Sequence, residues 1–332
     1  MIKSAYLPLS LLTLVALVSP ATAQLNPEPP QPKLTLSPNA TPGEDCEPGI
    51  PDCPHTVRCT NGLPGCFDRP QVDVRGVDWS WVQSETIPYV LSPRRTLLLN
   101  AQPRLRWQPI AAADYYRVIV LNEMTGQVVW EVKSPTAELD YAGPRLVVGQ
   151  EYSLEIHAYT AESDVPIATS LKEPHFATFA LLGADQRAAL QAQTQRIEQT
   201  VTDPEQQQRQ LANLYLRNGL FIEGMQLLED QWQSQTNAAL AVRLGNLYFY
   251  ELRLPLEAQA YYEQAVAQSA DDLELRAIAL TELGYTQKVL LNYDGAIAHW
   301  QQAIAIYQTL GDRAKIERLE QELREAEDLR DL

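Results

Sequence analysis

Apolar and polar positions along this chain change their spacing twice. The first feature is a mainly apolar run, Leu7 to Val18, after Lys3 and before the small residues Ala21-Thr22-Ala23. That order predicts a secretory signal over residues 1–23, because the stretch is short for a bilayer crossing and Pro8 interrupts it. From about Gln71 to Leu182 the period is two. Tyr116, Val118 and Val120 would share one face of a strand, and Tyr152, Leu154, Ile156 and Ala158 one face of another, with Ser153, Glu155 and His157 opposite. Side chains alternate faces along a strand, so these runs predict strands with one buried face. Leu105 to Trp107, Val128 to Val132 and His175 to Leu181 are further short strand candidates, separated by turn signals such as Thr125-Gly126 and Val148-Gly149. Several short strands at this spacing predict an antiparallel sandwich over residues 71–182.

From Ala184 onward the period becomes helical. Only two prolines remain, Pro204 and Pro255, and alanine, leucine, glutamine and glutamate dominate. Asp203-Pro204 has the form of a helix start, with Asp203 as cap and Pro204 in the first turn. The region is self-similar. Leu211-Ala212…Tyr215, Leu244-Gly245…Tyr248 and Leu283-Gly284-Tyr285 align, at separations of 33 and 39 residues judged from Ala212, Gly245 and Gly284. Each is followed by a second helix, marked by Gly224 and Leu228, by Ala258, Tyr262 and Ala265, and by Ala296, Trp300 and Ala303. The paired alanines are seven residues apart, two helical turns, so they share a face on which another helix can approach closely. The second copy carries one extra residue, assigned from sequence to the neighbourhood of Leu254-Pro255. Ile316, Leu319, Leu323 and Ala326 then form a narrow apolar stripe, as expected of a capping helix.

Both regions resemble known families. Pro103-Arg104-Leu105-Arg106-Trp107, Ala113 to Val118, and Leu146 to Tyr152 are similar to a fibronectin type III or immunoglobulin-like module; the resemblance implies a buried Trp107 and a Tyr152 hydroxyl bonded to upstream backbone. Val148 stands where that family usually has proline. The small–tyrosine–alanine–aromatic–alanine pattern of residues 183–332 resembles the tetratricopeptide repeat, whose usual period is about 34 residues. The expected fold is therefore multidomain, an all-β sandwich followed by an all-α repeat array. The order of parts resembles exported bacterial envelope proteins.

The repeat resemblance implies a groove lined by the first helix of each pair. Projected onto this chain, it is lined by Arg209, Asn213 and Arg217, then Asn246, Phe249 and Tyr250, then Tyr285 and Lys288. Arg209, Asn213 and Asn246 match part of a carboxylate clamp found in some family members; Thr281 and Tyr285 stand where that clamp has cations. The resemblance implies a protein or peptide partner, with no cofactor. A second expectation is sugar or surface binding through tryptophans of the β region, with Trp79 and Trp81 as candidates and Trp107 and Trp130 assigned to core.

Composition adjusts this picture at the N-terminal side. Residues 24–70 hold eleven of the 23 prolines and all four cysteines, Cys46, Cys53, Cys59 and Cys66. Proline there predicts an extended tether. In an exported chain the clustered, even cysteine set predicts two disulfides, with three pairings open. The gaps of six, five and six residues do not suit zinc, which takes closer pairs. A net charge of −16 disfavours nucleic acid. The four histidines, at 55, 157, 175 and 299, have no sequence-local partner that marks a triad, and no phosphate loop or metal-binding helix motif occurs. The chain is thus expected to be a non-enzymatic, periplasmic or extracellular binding protein without a membrane span once mature.

Overall fold

The computed structural model describes residues 87–170 and 177–332. The signal stretch, the proline-rich segment, the four cysteines, Trp79 and Trp81 lie outside the described residues. Among the described residues, a β-sheet region spanning 90–181 precedes eight α-helices spanning 184–330.

Nine strands among the described residues form two sheets. They are β1 (Val90–Ser92), β2 (Thr96–Leu98), β3 (Arg104–Trp107), β4 (Tyr115–Asn122), β5 (Val128–Ser134), β6 (Glu138–Asp140), β7 (Glu151–Tyr159), β8 (Ala168–Thr169) and β9 (Thr178–Leu181). One sheet runs β1-β3-β6, the other β2-β9-β7-β4-β5, with β8 added beside β7. Pairing is antiparallel except between β2 and β9, which run parallel from Thr96↔Phe179 to Leu98↔Leu181. The expectation of a purely antiparallel arrangement is corrected there. β2 takes the edge of β9 that β7 leaves open.

Alternation decides the core. Val118, Val120, Leu154 and Ile156 from the larger sheet and Val90, Leu105 and Trp107 from the smaller one join a single buried cluster. Trp107 meets Tyr116 edge to face at 5.3 Å between ring centroids, a favoured aromatic geometry. Trp130, half-buried, packs the same way on Tyr141. The Tyr152 hydroxyl accepts the N–H of Val147 at 2.8 Å and fixes the approach to β7.

The helices are α1 (Ala184–Thr200), α2 (Pro204–Arg217), α3 (Phe221–Ser234), α4 (Ala238–Asn246), α5 (Pro255–Gln268), α6 (Leu273–Val289), α7 (Tyr293–Leu310) and α8 (Arg313–Arg330). Asp203, Asn237, Asp272, Asn292 and Asp312 each cap a helix by accepting a backbone N–H of its first turn. Packing follows chain order, α2 on α3, α4 on α5, α6 on α7 and α7 on α8. Within two of these pairs a glycine of the first helix lies under an aromatic ring of the second. A Cβ at Gly245 would come 2.5 Å from Tyr262, and one at Gly284 would come 2.2 Å from Trp300. Tyr262 and Trp300 are fully buried.

The extra residue of the second pair is not in the loop to which the sequence pattern assigns it. It is taken up inside the helix, as a π turn at Leu247–Glu251 following α4. Widening one turn to an i→i+5 bond accommodates an inserted residue without breaking the helix.

Candidate functional site

The eight residues projected onto a groove fall into two groups. Phe249 is 1% exposed and belongs to the helical core, so its assignment as a groove-lining residue is corrected. Phe249 lies within the π turn and its ring packs in the apolar cluster with Leu247 and Leu252, which closes it to a partner. Asn213, Asn246, Tyr285 and Lys288 are also buried. Arg209, Arg217 and Tyr250 are half-exposed.

A set of polar contacts steps from pair to pair along α2, α4, α6 and α8. The Arg243 guanidinium of α4 donates to Asn213 Oδ1 of α2. The Tyr250 hydroxyl of the π turn donates to Glu282 Oε2 of α6 at 2.5 Å. Lys288 Nζ of α6 reaches Glu322 at 2.7 Å and Glu325 at 3.3 Å on α8. The Arg318 guanidinium of α8 stands 5.5 Å from the Tyr285 ring. Buried charges persist only when paired and hydrogen-bonded, so these contacts make a continuous polar seam that joins successive first helices. Asn246 is used within its own pair, accepting the Tyr262 hydroxyl at 2.8 Å.

Arg243, Glu282, Glu322 and Glu325 are not among the residues that the sequence projects onto the groove. A signal for two of them exists. Arg243 interrupts the apolar run Ala238 to Leu244, and Glu282 sits between Leu280 and Leu283. A charge within an apolar helix face announces a buried partner, though not its identity.

A second polar cluster joins the sheets to the helices. Arg94, 1% exposed, donates from Nη1 to Val90 O at 2.9 Å and from Nη2 to Arg253 O at 3.4 Å, and its Nε bonds Leu252 O. Arg95 Nη1 donates to Glu251 O at 2.7 Å. The accepting carbonyls cap the end of the π turn, where unpaired carbonyls concentrate partial negative charge. Nearby, the Tyr89 hydroxyl donates to Glu257 Oε1 at 3.1 Å. The same segment continues onto the α2–α3 turn. Leu97 N–H donates to Gly219 O at 2.8 Å, Phe221 N–H to Thr96 Oγ1 at 3.1 Å, and Leu99 N–H to Glu223 Oε1 at 3.4 Å.

Burial shifts the ionisations of this cluster. Desolvation raises the carboxyl pKa values of Glu223, Glu251 and Glu257 above the ordinary carboxylate value. It pulls Arg94 down to about 9, against the opposing pull of Glu257.

Among the described residues, no group of three His, Cys, Asp or Glu side chains is placed to hold a metal, and no helix is long and apolar enough to cross a membrane. Trp107, at 1% exposure, is closed to a sugar ring. No family model matches the chain, and no curated protein matches it.

Proposed function

We propose that the chain is an exported, non-enzymatic scaffold. In this reading a fibronectin type III-like sandwich is clasped to a tetratricopeptide-like array, and the array binds a protein or peptide partner. The observation that carries the reading is the recurrence of one packing solution. Gly245 under Tyr262 and Gly284 under Trp300 occupy equivalent places in successive helix pairs, as stacked repeats require. Such arrays use exposed helix faces for recognition. The sandwich assignment is supported by the strand order of the two sheets and by the Tyr152–Val147 bond. Export is supported by the Leu7–Val18 stretch and the small residues after it.

The seam of polar contacts engages Asn213 of α2, Tyr250 of the π turn and Lys288 of α6. The partner surface is therefore assigned to α2, on the half-exposed Arg209 and Arg217. A photo-crosslinking residue at 209 or 217 of the full chain, in its native host, tests this. A defined partner should be trapped from those positions and not from Lys133, an exposed control on β5. Equal trapping from all three sites, or none from 209 and 217, overturns the placement.

A further inference from the structure

An open cleft of about 640 Å³ lies where the sheets meet α1. Its walls are Leu99 and Ala101 after β2, Leu146 and Val148 before β7, and Leu181 and Leu182 at the end of β9. The volume falls within the range of small-molecule sites, about 300–1,000 Å³. Two features define what the cleft can take.

The first is that four backbone groups of its lining are already engaged. Val147 N–H is given to Tyr152, Leu99 N–H to Glu223 and Leu182 N–H to Leu98 O, while Leu99 O accepts from Arg187. A peptide lying here would find those four groups taken, and any amide it buried against them would stay unpaired at roughly 1–3 kcal/mol each. A hydrocarbon tail carries no such groups. Val147 and Val148 are 51% and 55% exposed, so apolar surface at the mouth is open to cover.

The second is charge at the rim. Arg145 and Arg187 both line the cleft and are exposed. No ion pair of Arg145 occurs among the described residues. The α1 N-terminus, at Ala184, adds the positive end of its dipole. Two carboxylates bear on the rim, Asp185 in the first turn of α1 and Glu223 beside Arg187. Glu223 is half-buried and accepts the Leu99 N–H, so part of its charge is used there and it weakens the positive rim without closing it.

We propose that this cleft binds an aliphatic carboxylate, its tail on the leucine and valine walls and its head group on Arg145 and Arg187. The proposal is independent of a partner on the helical array. Calorimetry of the full chain with dodecanoate, below its micelle concentration, tests it against dodecanol and dodecyltrimethylammonium. Dodecanoate should bind saturably at one per chain and outcompete both. Arg145→Ala should weaken it about fivefold, the scale of one exposed charge contact. Val148→Glu, a change at a solvent-facing position, should abolish it while the thermal transition stays in place. Absence of saturable binding, equal binding of all three amphiphiles, or indifference to both substitutions overturns the proposal.

Discussion

Gly284 lies so close beneath the Trp300 indole that a methyl group there would sit 2.2 Å from Nε1. The indole cannot retreat, because it is fully buried and its N–H is bonded to Thr281 O at 3.1 Å. Replacing a helical glycine by alanine ordinarily stabilises by about 0.5–1 kcal/mol. Overpacking of a closed core costs about 1–3 kcal/mol or more and wins here. Gly284→Ala should lower the denaturant midpoint, and Gly245→Ala under Tyr262 should do the same. An unchanged midpoint in both would remove the packing argument for the repeats.

Arg94 should behave differently from its neighbour Arg95. Arg94→Met strands the carbonyls of Leu252 and Arg253 in a buried junction, at about 2–4 kcal/mol. Arg95 is exposed, and Arg95→Met should fall within about 0.5 kcal/mol of the parent. Hydrogen exchange at residues 252–255 should accelerate in the first variant and not in the second.

The junction should loosen as pH rises. Glu223, Glu251 and Glu257 have raised carboxyl pKa values in the fold, caused chiefly by burial. The folded state then keeps protons that the unfolded chain has already released. Stability from these groups is fully present below the ordinary carboxylate value and is lost as pH climbs through the raised folded values. The melting temperature should therefore decline with pH across that window. Glu257→Gln keeps an acceptor for Tyr89 and should flatten the decline. An unaltered slope in that variant would assign the effect elsewhere.

Lys288 should hold the last helix down. Lys288→Met leaves Glu322 and Glu325 facing each other without their cation, at about 1–3 kcal/mol. Exchange across Arg313–Arg330 should rise while that of α2 and α3 stays unchanged. Uniform loss of protection would mean that α8 is not separately anchored.

Much of the fold was legible because alternation reports burial directly. β4 and β7 could be read from Tyr116–Val120 and Tyr152–Ala158 to within two residues at each end, and α8 was signalled by its Leu319–Ala326 stripe. The β1–β2 segment was not legible. Its two strands are three residues each and pair with different sheets, so no period builds up. The candidate site was the least legible part. Spacing puts Asn213, Tyr250 and Lys288 on one side of their helices, but it does not say that Arg243, Glu282 and Glu322 face them there. Those partners lie 30 to 34 residues away and are brought in only by stacking.

The π turn at Leu247–Glu251 also gives the array an address. Inserting one residue into a helix rotates every later position by about 100°, which would carry α5 out of phase with its neighbours. Confined to one widened turn, the insertion leaves α5 in phase and spends its slack on the carbonyls of Glu251, Leu252 and Arg253. The third pair lacks the extra residue. Two otherwise similar helix pairs are thereby made distinguishable to Arg94 and Arg95, which dock at the π turn while Thr96 and Leu97 dock at the α2–α3 turn. Deleting a single residue from the turn should erase that distinction and release Arg94 and Arg95 from its carbonyls, leaving the strands held at the α2–α3 turn through Thr96, Leu97 and Leu99.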